Sequence, residues 1–190
     1  MVNFILRVSP ALLGALLLLS PLHASIIEGV DVADSVLVDG KQIPLYRTAV
    51  RKAMGFKIYL SAFYLDQKPM SAQAVIDSEN PSLLRMHYAY MSIPYKLLVE
   101  GIKDYFQKAL GKDFGGQETG FSQYMAAYNR PLVKGDVVEV SFAKSRGISF
   151  VLSGKTNAVI PGLGFKKALH TAWFGDKSPD PSFRQDLLGF

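Results

Sequence analysis

The sequence predicts an α+β domain built on an antiparallel sheet, with a layer of helices over one face of the sheet. Three observations carry this prediction. Strand-like and helix-like segments follow each other in blocks: strands, helices, strands, helices. Turns as short as Asp39-Gly40 join neighbouring strand segments, which only antiparallel strands allow. Residues 55–65 place apolar side chains on both faces of one strand, so both faces of the sheet need a cover.

The first half of the chain is predicted to be mainly strand. Alternation and turn residues predict strands at 35–39, 41–47, 55–65 and 83–90, and Ser71 is predicted to cap a short helix that ends at Asp77. The strand at 55–65 has two different faces. One face carries Phe56, Ile58, Leu60, Ala62 and Tyr64, and the other carries Lys57, Tyr59, Ser61 and Phe63.

The second half is predicted to hold the helical layer and a second hairpin. Ser92 is predicted to cap an amphipathic helix that ends at Gly111, and a second helix is predicted from about 117 to 128. Strands are predicted at 136–143 and 147–153, followed by an edge strand at 155–160. Pro161-Gly162 is predicted to start a helix that stops at Gly175, and Ser182 is predicted to cap a short last helix.

The N-terminal segment is predicted to be a secretory signal peptide over residues 1–24. Arg7 supplies a positive start, Ala11 to Leu19 form a short apolar run, and Ala24 offers a small residue before the cut. The domain then covers residues 25–190, and the protein is expected to be periplasmic or secreted. An uncleaved N-terminal anchor is the alternative. The chain contains no cysteine, so the fold must stand on its core without disulfides.

Charge and composition exclude several classes of function. The net charge of +5 falls to +4 when Arg7 is removed, and no Lys/Arg run forms a phosphate-binding track, so nucleic-acid binding is not expected. His87 and His170 have no carboxylate or second histidine at ligand spacing, so neither a metal nor another cofactor is expected. After signal cleavage no stable membrane insertion is expected.

Arg51 is the leading candidate for a binding residue. It stands just before the turn that leads into the aromatic strand, and a guanidinium there is a rigid, permanently charged partner for a carboxylate or a phenolate. Tyr59 falls on the same side of a tight turn, where its phenol can donate to a bound anion. The alternatives are a structural ion pair of Arg51 with Glu28, Asp31 or Asp34, and a core role for Tyr59.

The chain also resembles a known family. The matching elements are Arg51 before a turn, FK-x-Y-x-x-A-x-YL at 56–65, HYAYMSIPYKL at 87–97, a Gly-Phe-led helix ending in Trp-Phe-Gly, and a terminal Leu-Leu-Gly. In this order they resemble the bacterial exported branch of the chalcone isomerase-like family. The resemblance implies an open-faced β-sandwich with a ligand cleft between the large sheet and the helical layer.

The resemblance also implies site residues. The arginine that matches Arg51 contacts substrate in the isomerases, and non-catalytic members bind fatty acids in the same cleft. Tyr124 and Trp173 would then line the tail region beside Phe121, Met125 and Leu169, although such residues at helical spacing also fit an ordinary core. Tyr59 stands where catalytic plant members have a threonine.

The sequence therefore predicts an exported, cofactor-free and non-catalytic domain that binds a small amphipathic or aromatic acid, such as a fatty acid. Ligand-binding residues are expected at Arg51, Tyr59, Tyr124 and Trp173. Two alternatives remain open. One is an intramolecular lyase or isomerase acting on a chalcone-like enone, with Arg51 stabilising charge on the carbonyl oxygen. The other is a protein-interaction module of the envelope.

Overall fold

The computed structural model describes residues 24–190, so the predicted signal peptide lies outside the described residues except for Ala24. The described chain forms eleven strands and five α-helices. The strands are β1 Ala24–Ile27, β2 Val30–Ala33, β3 Ser35–Val38, β4 Lys41–Ala53, β5 Phe56–Leu65, β6 Ser82–Tyr88, β7 Ser92–Ile93, β8 Leu132–Val133, β9 Val137–Ala143, β10 Gly147–Leu152 and β11 Lys155–Ile160. The helices are α1 Ala72–Asp77, α2 Tyr95–Leu110, α3 Glu118–Ala127, α4 Leu163–Phe174 and α5 Pro181–Leu188, with a 3₁₀ segment at Gly111–Gln117.

The main sheet has seven strands in the order β11-β10-β9-β6-β5-β4-β3, and all of its paired strands are antiparallel. The predicted α+β class and the antiparallel sheet with a helical layer are confirmed. The β5 strand lies inside this sheet, between β6 and β4, where its side chains face two different layers. The site residues on β4, β5 and β6 are thus held by a continuous hydrogen-bonded ladder.

Each face of β5 is buried in a separate core, as the aromatic pattern of this strand predicts. Phe63 belongs to the large core between the sheet and the helices. Leu60, Ala62 and Tyr64 belong to a smaller core with β2 and β3, and the Tyr64 hydroxyl donates to the Ala33 carbonyl at 3.0 Å. The β1–β2 ribbon and β3 therefore supply the second cover, which makes the architecture an open-faced sandwich.

Two helix starts differ from the prediction, and proline explains both. Ser92 pairs with Val133 in a short ribbon, and α2 begins at Tyr95 after Pro94. A residue that precedes proline favours extended backbone, so the helix cannot begin earlier. At α5 the cap is Asp180 and not Ser182, because Pro181 occupies the first helical position, where its missing N–H is not needed.

Candidate functional site

Arg51 and Tyr59 are cross-strand neighbours on the helix-facing side of the sheet. Arg51 of β4 lies opposite Tyr59 of β5, and Tyr59 lies opposite Tyr88 of β6. Both tyrosines pack in or against the large core under the helices. The expected proximity of the guanidinium and the phenol follows from this register.

The guanidinium of Arg51 already binds a carboxylate. Its Nη1 lies 2.6 Å from Oδ2 of Asp180, with side chains that are 28% and 16% exposed. The same nitrogen donates to the Lys52 carbonyl at 2.5 Å. The other oxygen of Asp180 accepts from the backbone N–H of Phe183 at 3.1 Å and so caps α5. One carboxylate therefore joins the last helix to the sheet.

The ion pair differs from the structural alternatives that the sequence suggested. Glu28 pairs instead with Lys57, at 3.2 Å between Nζ and Oε2. Asp180 was not a candidate because it lies far along the chain from Arg51. The Asp-Pro pair at 180–181 signals a helix start, and nothing in the local sequence connects that helix to β4.

Tyr59 is held as a neutral hydrogen-bond donor. Its ring packs against Tyr88 at 5.1 Å and against Phe183 at 5.8 Å between ring centroids. Burial raises the pKa of Tyr59 well above its ordinary value, and the positive charge of Arg51 only partly opposes this shift. A phenol in this state can donate a proton to an anion in a hydrogen bond, but it cannot act as a base near neutral pH.

Tyr105 of α2 is a further polar group at this place, and sequence reasoning missed it. Its hydroxyl lies 2.8 Å from Oγ of Ser178. Burial raises the pKa of Tyr105, and the charges of Asp180 and Arg51 are near enough to act on it. Its spacing on α2 marks it only as a core-facing residue, so the sequence gives no sign of this role. Arg51, Tyr59, Tyr105 and Asp180 are called the Arg51 cluster below.

Ser61 places an unpaired hydroxyl in the same interior. It is fully buried, two residues along β5 from Tyr59 and on the same face, opposite Ala49 and Met86. Its Oγ has no hydrogen-bond partner among the described residues. An unmet hydrogen bond in a buried position costs about 1–3 kcal/mol. The interior behind Tyr59 thus contains a polar atom that the fold itself does not satisfy.

Tyr124 lies deeper in the large core. Its hydroxyl is 3.1 Å from that of Tyr128, and its ring meets Phe150 and Phe165 at 5.6 and 5.8 Å. Burial raises the pKa of Tyr124, with smaller contributions from the nearby phenols of Tyr88 and Tyr59. The structure therefore brings Tyr124 into the interior that begins at Tyr59, within a tightly packed aromatic cluster.

Trp173 has different neighbours. Its ring stacks on His170 at 6.0 Å and meets Phe174 edge-on at 6.0 Å. Phe174 in turn stacks on Phe63, four residues along β5 from Tyr59. The structure does not place Trp173 against Arg51 or Tyr59. Its predicted ligand contact would require a ligand that extends from Tyr59 past Phe63 and Phe174.

A cleft of about 270 Å³ lies at the far end of β5, beyond the Arg51 cluster. Among the residues that line it are Leu65, Asp66, Ser78, Ser82, Lys166 and His170. This volume is slightly below the usual range for small-molecule sites. Its lining includes the charged residues Asp66, Lys68 and Lys166, in contrast to the aromatic interior at the other end of the strand.

Lys166 is the buried cation of this cleft, and its contacts argue against a role as a carboxylate anchor. It is 1% exposed, and its Nζ donates to the carbonyls of Val75, Ile76 and Ser78 at 3.0, 2.7 and 2.5 Å. Burial lowers its pKa to about 8. Because all three ammonium hydrogens bind the end of α1, an acid could not bind without breaking one of these bonds.

His170, on the same wall, is also engaged with α1. Its Nδ1 lies 3.2 Å from the Val75 carbonyl, and burial lowers the pKa of His170 to about 3. The ring is therefore neutral, with Nδ1 as the donor. Within residues 24–190 no group of three His, Cys, Asp or Glu side chains is arranged to hold a metal ion. None of the helices in this range is both long enough and apolar enough to cross a bilayer.

The fold and the Arg51 cluster define a class of protein: an α+β open-faced sandwich with an aromatic interior under its helices and an ion-paired arginine at the edge of that interior. The chain belongs to the chalcone isomerase-like family, whose model matches residues 24–189. The resemblance of the sequence to this family is thereby confirmed.

A solved structure shares this fold. It is a fatty-acid binding protein of Arabidopsis thaliana, with a TM-score of 0.65 and 11% sequence identity over 87% of this chain and 96% of that one. At this identity the likeness concerns the fold. A search of curated proteins finds no match.

Proposed function

We propose that this protein binds a small amphipathic acid, such as a fatty acid, with the carboxylate at Arg51 and the tail in the aromatic interior behind Tyr59. The observation that carries the proposal is the bond between Arg51 and Asp180. In it, a guanidinium at the edge of the interior donates to a carboxylate oxygen at 2.6 Å. A ligand carboxylate would take the place of Asp180 on the same guanidinium.

The neighbours of Arg51 suit an anionic head group. Tyr59 and Tyr105 remain protonated, since burial raises the pKa of both. The guanidinium can only donate and each protonated phenol has one O–H to donate, and an ionised carboxylate needs donors. The fatty-acid binding of the Arabidopsis thaliana protein with the same fold supports this ligand class.

The tail would enter where α5 closes the interior. Phe183 of this short helix covers the ring of Tyr59, and α5 is tied to the sheet by Asp180 and by a bond from the Tyr46 hydroxyl to the Leu188 carbonyl at 2.6 Å. An outward movement of α5 would uncover Tyr59 and, behind it, the unpaired hydroxyl of Ser61. Acid binding is thus coupled to release of Asp180 from Arg51.

Binding without catalysis agrees with the chemistry of the cluster. The nearby phenols are held protonated, so neither supplies a general base near neutral pH. The isomerase alternative needs only donors for a carbonyl oxygen, which Arg51 and Tyr59 could supply. It predicts turnover of a chalcone that depends on Arg51, and a spectrophotometric assay of the parent protein and Arg51→Ala tests it.

The direct test is ligand capture by the purified protein. Native mass spectrometry and titration calorimetry with a medium-chain fatty acid would compare the parent with Arg51→Ala. Arg85→Ala is the matched control, because Arg85 is also ion-paired, with Glu139 at 2.7 Å, and is 22% exposed but faces the smaller core. We expect at least about 30-fold weaker binding for Arg51→Ala, since truncating one side of a desolvated charge pair costs about 2–5 kcal/mol. Equal affinity in all three proteins would exclude Arg51 from the site.

The proposal includes export of the protein, on the basis of the charged, apolar and small-residue pattern of residues 1–24. The measurement is the intact mass of the protein from a periplasmic fraction. A mature chain that starts at Ser25 supports export, and a full-length chain in the cytosolic fraction contradicts it.

A further inference from the structure

An apolar surface at one end of the molecule is left exposed by the described part of the chain. It consists of Met54, Phe56, Tyr90 and Met91, with exposed fractions of 97%, 58%, 36% and 82%, and is called the apolar tip below. The tip is continuous, because the rings of Phe56 and Tyr90 meet edge-on at 5.7 Å. The backbone N–H groups of Ala89 and Tyr90 bind the Ile58 carbonyl and hold the two segments together.

Met54 occupies a backbone position that favours other residues. It has a φ of 50° and precedes Gly55, with a φ of 79°, in the two-residue turn between β4 and β5. Three other turns in residues 24–190 repeat this pair of positive angles, and each has a polar residue first: Glu28, Asp39 or Ser153. Asn or Asp adopts this conformation at least cost. A strained, almost fully exposed methionine therefore indicates a partner outside the chain.

Lysines surround the apolar tip. Lys52 and Lys57 lie directly opposite each other on β4 and β5, an arrangement of like charges that is unfavourable for the sheet. Glu28 offsets Lys57 only. Lys134 follows on the neighbouring segment, where its backbone N–H binds the Met91 carbonyl. In the described part of the chain neither Lys52 nor Lys134 forms an ion pair.

We infer that the apolar tip docks on an anionic lipid bilayer. Met54, Phe56, Tyr90 and Met91 would enter the head-group region, and the surrounding lysines would lie at the level of the lipid phosphates. Exposed apolar side chains bordered by lysines, two of them without an ion pair in the described part of the chain, are complementary to such a surface. A tyrosine at the border of the tip also fits, since its amphipathic ring prefers the membrane–water interface.

The tip combines the β4–β5 turn and the start of β5 with the segment after β6. Its lysines favour an anionic bilayer over a second copy of the chain, because two copies would bring like charges together. Docking at the head-group level requires no spanning segment and leaves the fold unchanged. The inference is independent of acid binding, because none of the four tip residues belongs to the Arg51 cluster. The tip does lie three residues from Arg51 along β4, so a docked protein would hold its proposed binding site next to the lipid.

The absence of cysteine makes a position-specific test feasible in the full chain. Met54→Cys would carry a single environment-sensitive fluorophore. Met70→Cys is the matched control, because Met70 is 95% exposed and follows the opposite end of β5. Each labelled protein would be mixed with phosphatidylglycerol-containing vesicles or with phosphatidylcholine vesicles, at low and high salt. A readout at each position separates docking of the tip from binding by the N-terminal segment, which both variants share.

We expect a blue shift and brighter emission at position 54 with anionic vesicles only, reversed by high salt, and no change at position 70. Lys52→Gln and Lys134→Gln should each weaken partitioning about fivefold. Equal responses at both positions, or none at position 54, would overturn the inference. A shift at position 54 that grows with protein concentration without vesicles would show a second copy on the tip instead, and would also overturn it.

Discussion

Asp180→Asn should strengthen acid binding, whereas Arg51→Ala should weaken it. Both variants break the same ion pair, but they have opposite effects if the Asp180 carboxylate and the ligand carboxylate compete for one guanidinium. Asparagine is the right replacement because it caps helices as well as aspartate does. It can keep the bond that Oδ1 accepts from the Phe183 N–H at 3.1 Å, so α5 stays formed.

The size of the effect follows from the burial of the pair. Exposed ion pairs contribute about 0.2–1 kcal/mol, and breaking a fully buried pair costs about 3–5 kcal/mol. With exposed fractions of 28% and 16%, the Arg51–Asp180 pair lies between these limits. We take about 1–2 kcal/mol for the competition, which corresponds to about 5- to 30-fold tighter binding of the acid to Asp180→Asn.

The assay is titration calorimetry with a fatty acid below its micelle concentration, at fixed pH and salt. Asp176→Asn is the control, because Asp176 precedes the same helix and pairs with Arg184 at 2.8 Å but is 95% exposed. Its affinity should match that of the parent. Unchanged or weaker binding by Asp180→Asn would refute the competition and leave the ion pair with a purely structural role.

Three further predictions concern stability and pH. Ser61→Ala should raise the free energy of unfolding by about 1 kcal/mol in denaturant titrations, because it removes a buried hydroxyl without a partner; a loss of stability would reveal a hidden partner. Lys166→Met should lower the free energy of unfolding by about 3 kcal/mol, since three carbonyls at the end of α1 lose their donor. Lys167→Met is the control: Lys167 forms a half-exposed ion pair, so its loss should change the free energy of unfolding by less than about 1 kcal/mol. The pKa of Asp136 is lowered to about 2, chiefly by hydrogen bonds from Arg130. The ionised Asp136 carboxylate contributes about 2 kcal/mol to the free energy of unfolding. This contribution is complete above the pKa of Asp136 in the unfolded chain, about 4, and is lost as the pH falls towards 2. Asp136→Asn should therefore flatten the acid side of a melting-temperature profile, and identical profiles for the two proteins would contradict this.

The sequence predicted those parts of the fold that depend on local patterns. The alternation along β5 correctly indicated two buried faces, because a strand points successive side chains to opposite sides whatever its partners are. The Asp39-Gly40 turn also forms with both residues at positive φ. The predicted start of α2 at Ser92 is too early, because Pro94 keeps Ile93 in extended backbone.

The candidate site was predicted less completely, because most of it comes from distant segments. Arg51 and Tyr59 are cross-strand neighbours and could be paired from the turn between them. Tyr105 and Asp180 reach the same place through the packing of α2 and α5, and no spacing in the sequence encodes that packing. The ligand contacts of Arg51, Tyr59, Tyr124 and Trp173 stay predictions, as do export and the nature of the acid.

The bond between β4 and α5 also sets an order of events as the chain emerges. Whether it emerges from the ribosome or from the export channel, Arg51 comes out well before its carboxylate partner Asp180 near the end of the chain. In that interval the strands and the first helices can already pack around an arginine whose charge has no partner from α5. Docking of the last helix is then the step that neutralises the arginine and seals the interior, so we expect this helix to be the last element to fold and the first to detach.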